Sequence, residues 1–172
     1  PPSYGRLLGE GITPLVYRRT RLGTVGFKLE YLNPSGSFKD RGVSYSLQMA
    51  KELGFRCVVE DSSGNAGIST AAYSAYLVLK AIIAVPRTAA ASKKSIIRSL
   101  GAEVVELDDR EAAARHAESL APRCFYVAHS VSAAFLAGMS SFGKEVPPGS
   151  ALVIPSASFS LLLGAWKGSG GK

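Results

Sequence analysis

The chain has 172 residues, 47% of them hydrophobic and 19% charged, enough for one domain or two small lobes and too apolar for an intrinsically disordered segment. No uninterrupted apolar run approaches the ~20 residues of a membrane span and no basic-then-apolar leader is visible, so neither a membrane protein nor a secreted one is expected. The net charge of +7 suits small anionic substrates; nucleic-acid binding ranks behind a solvated basic surface, because the clusters Arg18-Arg19-Arg21 and Lys93-Lys94-Arg98 are not interleaved with stacking aromatics.

A Gly- and Pro-rich loop from Gly9 to Pro14 precedes a short strand, Leu15–Arg18, and then a strand at Val25–Tyr31. The spacing predicts a helix over Phe38–Leu53, with Ser37 able to cap its start and Gly54 to end it. Next come a strand at Arg56–Glu60, a helix at Ala66–Leu79 and a strand at Ala81–Val85. A helix at Lys93–Leu100 lies between Ser92 as cap and Gly101 as terminator, followed by a strand at Glu103–Leu107 and a helix at Arg110–Leu120. The series closes with strands at Phe125–Ala128 and Leu152–Ile154, helices at Ala133–Glu145 and Leu161–Lys167, and a Gly/Ser tail. Strands alternating with helices, several of them continuous apolar runs, predict an α/β fold: an open parallel sheet with helices on both faces, in three αβα layers.

The two cysteines, Cys57 and Cys124, each sit in an apolar run and read as buried thiols in strands. No Cys/His grouping has metal-ligand spacing, so no metal is expected, and a reducing cytoplasm is the default location. Side-chain amides are confined to Asn33, Asn65 and Gln48, a hint of a heat-adapted source.

Ligands in open parallel sheets collect where strands end and helices begin, and three such junctions are unusual. The first is Asn33-Pro34-Ser35-Gly36-Ser37-Phe38-Lys39-Asp40-Arg41-Gly42. A lysine in the first turn of a helix lies at the positive end of the dipole, which with any burial favours the neutral amine that a carbonyl cofactor requires; the alternative is a surface lysine paired with Asp40. The second, Glu60-Asp61-Ser62-Ser63-Gly64-Asn65-Ala66-Gly67, offers backbone N–H groups to a carboxylate or phosphate, or is an ordinary capped turn. The third, Pro155-Ser156-Ala157-Ser158-Phe159-Ser160, is a serine-rich turn with the same two readings. His129, after a strand, reads as a polar strand terminus or as a residue facing the cleft, His116 as solvated, and Trp166 and Phe142 as helix packing.

Together these segments resemble the pyridoxal-phosphate enzymes of the tryptophan-synthase β fold type, and within it the threonine synthases. Gly9-Glu10-Gly11-Ile12-Thr13-Pro14-Leu15 resembles the opening motif, and Lys28-Leu29-Glu30-Tyr31-Leu32 running on through Gly42 the cofactor-lysine segment. Ser62-Ser63-Gly64-Asn65-Ala66-Gly67 resembles the substrate-carboxylate loop, and Val85-Pro86 and Ser99-Leu100-Gly101-Ala102-Glu103-Val104 fit the family spacing. The resemblance implies that Lys39 holds the cofactor aldehyde as a Schiff base and then moves protons. It also implies that Asn65 bonds the ring hydroxyl, that Ser62, Ser63, Gly64 and Ala66 bind an amino-acid substrate's carboxylate, and that Ser156, Ala157, Ser158, Phe159 and Ser160 hold the cofactor phosphate. The implied cofactor is pyridoxal 5'-phosphate and the implied substrate O-phosphohomoserine.

Two departures qualify this. The family's phosphate loop is commonly Gly-x-Gly-Gly, whereas this chain has Ser156, Ser158 and Phe159 there. Such enzymes are also about twice as long. The resemblance divides the chain into residues 1–50 as part of a larger domain, 51–128 as a small α/β lobe and 129–172 as a return segment. A truncated enzyme of this kind is expected to expose an uncovered face and therefore to form a homo-oligomer or require a complementing chain.

Overall fold

In the computed structural model, which describes residues 4–171, four parallel strands form the central sheet in the order β5-β4-β3-β6. They are β3 (Cys57–Glu60), β4 (Lys80–Pro86), β5 (Glu103–Leu107) and β6 (Phe125–Tyr126). Ahead of them lie β1 (Leu15–Thr20), β2 (Gly23–Lys28), a 3-10 turn at Glu30–Leu32 and α1 (Lys39–Glu52). The connections are α2 (Asn65–Leu77), α3 (Ala91–Ser99) and α4 (Arg110–Leu120), and the chain returns through α5 (Ala133–Gly143) and α6 (Ser160–Gly168).

The strand β4 is buried from Ala81 to Val85, as its unbroken apolar run requires of a strand covered on both faces. One face of the sheet, carrying Val58, Ile83 and Val85, packs against Leu47, Tyr73, Ile97 and Phe135. The other, carrying Val59 and Ile82, packs against Ala117 of α4 and against Cys124. The expected α/β layering holds.

The expected sheet is too large by two strands. Val25–Tyr31 does not join it: residues 23–28 form β2, which pairs antiparallel with β1 in a separate hairpin, and residues 30–32 coil into the 3-10 turn. Leu22 at the hairpin tip is fully open to solvent and Gly23 turns the chain at φ +98°. Leu152–Ile154 forms no strand; Val153 is 98% exposed, and among the described residues no strand pairs with this run.

Three helices end alike. After α1, Phe55 N–H donates to Ala50 and Gly54 is left-handed; after α3, Ala102 donates to Ile97 around Gly101; after α2, Leu79 donates to Ser74. In the last case the left-handed residue is Val78, at φ +57°. That explains why α2 stops at Leu77, short of the expected Leu79. At helix starts, Asp109 accepts from Ala112 N–H at 2.7 Å and Ser132 from Phe135 N–H at 3.3 Å. The expected caps are displaced. Phe38 is the N-cap of α1, with Ser37 accepting from Lys39 N–H at 3.3 Å, and Ser92 lies inside α3, behind an Ala90 cap.

Cys57 and Cys124 are joined in a disulfide rather than held as two thiols. Strand pairing explains it: Val58 is opposite Phe125, so the residues just before each face one another, 4.5 Å apart at Cα despite a separation of 67 in sequence. Isolated apolar runs give no such register.

Glycines set the helix contacts on the return path. A β-carbon on Gly138 of α5 would lie 2.2 Å from the Arg41 carbonyl oxygen, and one on Gly168 of α6 2.0 Å from that of Ser140. At both places the backbones touch, and any side chain would force them apart.

Candidate functional site

Lys39 is the first residue of α1, where the unsatisfied N–H groups of the helix start concentrate positive potential. Burial holds its ammonium below the usual lysine range, with Glu60 pulling in the opposite direction. Its Nζ lies 3.4 Å from Ser158 Oγ, and 5.0 and 5.5 Å from the ring centres of Phe38 and Phe135. The result is a partly desolvated amine with two aromatic walls and one hydroxyl beside it.

The next residue fixes its direction. Asp40 is fully buried and accepts from the Ser35 backbone N–H at 2.7 Å, from the Ser35 hydroxyl, and from Ser69 Oγ at 2.6 Å. Desolvation pushes the Asp40 carboxyl up, and those hydrogen bonds work against it. Lys39 is therefore not paired with Asp40, and the Asp40–Ser69 bond fastens the start of α1 to the second turn of α2.

The serine-rich turn contributes unequally. Ser158 and Ser160 hydroxyls lie 3.2 Å apart, with Ser160 buried as the first residue of α6. Ser156 is exposed and donates to the Ile154 carbonyl at 3.4 Å, and Ala157 is exposed as well. Phe159 is the N-cap of α6 and adopts φ +56°, a left-handed conformation natural to glycine, with its ring 56% exposed.

At the start of α2, the Gly64 N–H donates to Ser62 Oγ at 3.2 Å. Ser62, Ser63 and Gly64 are half-buried, Asn65 is exposed and Ala66 is buried. The turn is tight: a β-carbon on Gly67 would fall 1.9 Å from the Ser62 carbonyl oxygen. Thus Asp40–Ser69 ties the start of α1 to the second turn of α2, and Lys39–Ser158 brings it to the start of α6, leaving an amine beside a hydroxyl at helix N-termini. Such an arrangement favours an anionic ligand bearing an electrophilic carbonyl.

Several residues of this region stood out in the sequence only faintly or not at all. His129, the polar residue after the end of β6, has its Nδ1 2.6 Å from Glu60 Oε1. Its position after a strand, with the doublet Glu60-Asp61 after another, was the available signal. Arg41, with its side chain fully buried, bonds Glu30 and Glu145, an ion-pair arrangement that only the fold reveals.

Among known proteins, the family described as "Pyridoxal-phosphate dependent enzyme" matches residues 6–170. The threonine synthase of Halalkalibacterium halodurans is 39% identical over 105 residues, 58% of this chain and 30% of that protein. A probable cysteine synthase of Bacillus subtilis is 38% identical over 104 residues, 55% of this chain and 33% of that protein. The matched part spans about a third of the length of these curated relatives. Among solved structures, an L-serine ammonia-lyase from Rhizomucor miehei superposes with a TM-score of 0.82 at 28% identity, covering 91% of this chain and 54% of that one. An O-acetylserine dependent cystathionine beta-synthase from Helicobacter pylori gives a TM-score of 0.80 at 25% identity, over 92% and 59%.

Proposed function

Since the chain belongs to the pyridoxal-phosphate-dependent enzyme family, we propose that it is the lysine-bearing part of a lyase of threonine-synthase type acting on O-phosphohomoserine. The observation that carries this reading is the desolvated Lys39 amine, 3.4 Å from Ser158 Oγ at the N-terminus of α6. The residues present fit pyridoxal phosphate, the cofactor of this family. The amine suits its aldehyde, while Ser158, Ser160 and the first N–H groups of α6 suit its phosphate.

When bound, the cofactor supplies a conjugated ring that draws electrons from the substrate's α-carbon. The chain's own part is then distinct. The Lys39 amine would anchor the cofactor and afterwards take up and return a proton at the reacting carbon, a role that its downward-shifted pKa suits. Ser62, Ser63, Gly64 and Ala66, at the start of α2, hold the substrate carboxylate through N–H groups and hydroxyls, and Asn65 orients the ring hydroxyl. Ser156, Ala157 and Phe159 complete the phosphate turn, in which Ser158 and Ser160 donate. The basic balance of the chain favours a substrate that carries a phosphate.

A second reading has its own support. Leu162, Leu163 and Trp166 of α6 and Val153 before it are exposed, more apolar surface than a solvated helix face normally shows. In this reading the chain is a non-catalytic half that self-associates or takes a complementing chain, with residues 51–128 as its small lobe. No described helix is long and apolar enough to cross a membrane. A cytoplasmic location remains part of the proposal; the Cys57–Cys124 bridge suits a heat-adapted cell, where intracellular disulfides persist.

The test is to add pyridoxal phosphate, record the visible band of the lysine-bound cofactor, reduce with borohydride and locate the label by mass spectrometry. A label on Lys39 with phosphate release from O-phosphohomoserine supports the lyase; a label without turnover, in a chain that sediments as an oligomer, supports the non-catalytic half. Absence of label on Lys39 refutes the cofactor reading and with it the lyase. Ammonia release from serine in place of phosphate release would keep the family chemistry and replace the substrate.

A further inference from the structure

We infer that Glu60, Asp61 and His129 form a binding site for one divalent transition-metal ion of the zinc class. The side chains come from the carboxyl end of β3 and from the segment that leaves β6, neighbouring strands in which Val59 stands opposite Tyr126. One carboxylate oxygen of each acid and one ring nitrogen of His129 lie within 4.8 Å of one another.

The Glu60 carboxylate is the decisive group. Its side chain is fully buried; Oε1 meets His129 Nδ1 at 2.6 Å, while Oε2 has no hydrogen-bond partner among the described residues. A buried carboxylate oxygen without a donor is costly, and such groups call for a partner. The Asp61 carboxylate lies close by, so two acidic groups crowd one small space. A cation among the three groups satisfies the orphaned oxygen and removes the repulsion together. The site also has an entrance, because His129 keeps 19% of its side chain exposed and Asp61 is half-buried.

Donor chemistry narrows the ion. Two carboxylates with an imidazole form a mixed nitrogen and oxygen set that suits zinc and its neighbours, whereas magnesium and calcium favour oxygen shells. Three protein ligands leave one tetrahedral position for water. Metal–ligand bonds of about 2.1 Å place tetrahedral ligand atoms roughly 3.4 Å apart. Glu60 Oε1 and His129 Nδ1, 2.6 Å apart, have to open to that spacing, and rotation of the His129 and Asp61 side chains is the adjustment that a bound ion calls for. Thiolates do not compete, since both cysteines are bridged.

The test uses the full chain, stripped with chelator and free of pyridoxal phosphate, titrated with zinc chloride by calorimetry and with cobalt(II) by visible absorption. The expected result is about one equivalent of zinc bound, with magnesium at least about a hundredfold weaker, and cobalt bands typical of a tetrahedral nitrogen–oxygen site. Asp61→Asn and His129→Asn should each weaken zinc by roughly tenfold or more, while His116→Asn leaves it unchanged. Unfolding midpoints of the metal-free variants confirm that the fold is retained; Glu60→Gln is avoided because that side chain is part of the core. Absence of zinc binding at millimolar concentration overturns the inference and leaves a proton shared between Glu60 and Asp61 as the partner of the orphaned oxygen. Binding that neither Asp61→Asn nor His129→Asn alters overturns it equally.

Discussion

Arg41 grips Glu145 with two parallel hydrogen bonds, Nη1 to Oε1 at 2.6 Å and Nη2 to Oε2 at 2.9 Å, joining α1 to the residues just past α5. The same guanidinium holds Glu30 through Nε at 2.7 Å, and Lys28 reaches Glu145 at 2.6 Å. Burial raises the Glu145 carboxyl, but the bonds from Arg41, Lys28 and the Ile12 N–H outweigh it and hold the group down at about 2. Its folded value therefore lies below the unfolded one of ~4.3, so its contribution is complete above the unfolded value and is lost as pH falls towards the folded one. Glu145→Gln should cost roughly 3 kcal/mol at neutral pH, with the gap from the parent chain closing as pH falls from about 5 to about 2. Urea unfolding of both proteins across that range measures it, and a gap independent of pH would contradict the pairing.

Val78 occupies the left-handed position where α1 and α3 are followed by glycine, and 88% of it is exposed. A β-branched residue there is strained and gains little from contacts in return. Val78→Gly should stabilise the chain by about 1 kcal/mol, read as a higher thermal midpoint. A lower midpoint would mean that the strain is offset elsewhere.

Phe159 holds the glycine-like backbone of the turn at α6 without being glycine. Phe159→Gly should relieve roughly 1 kcal/mol of strain and bring a phosphate closer to the N–H groups of the turn. The expected outcome is a several-fold lower Kd for pyridoxal phosphate, followed by its visible band. Unchanged affinity would place the phosphate away from this turn.

Removal of the Cys57–Cys124 link by the double change Cys57→Ser and Cys124→Ser should lower stability by about 4 kcal/mol, given the long loop it closes. Thiol titration of the unreduced native chain should find no free thiol. Two titratable thiols would return the pair to the dithiol that the apolar runs alone suggest.

What could be read from the sequence divides along physical lines. The sequence located α4 and β5 residue for residue: α4 buries Ala113 and Ala117 one turn apart, the helical period, and β5 is a short β-branched run set off by Gly101 before it and Asp108-Asp109 after it. An apolar run such as Leu152–Ile154 carries the same local signal as β3 but pairs with no strand among the described residues. Partners distant in sequence left still less trace. The Cys57–Cys124 link, the Glu60–His129 contact and the Arg41–Glu145 grip all depend on register and packing. In the site, Lys39 and Ser158 were legible as chemistry within motifs. That Ser156 turns back on its own backbone while Ser158 reaches the amine depends on a turn geometry that composition does not encode.

The close seating of Gly168 on α5 reaches well beyond its own contact. A nine-residue helix is a rigid rod of about 13 Å, so whatever lifts its far end tilts its near end as a lever does. Ser158 and Ser160 ride on that near end. Drift in sequence at the α5–α6 contact, remote from Lys39, can therefore detune the lysine's surroundings while every motif stays intact. A survey confined to motif residues would count such a chain as competent, and the fault would lie at the pivot.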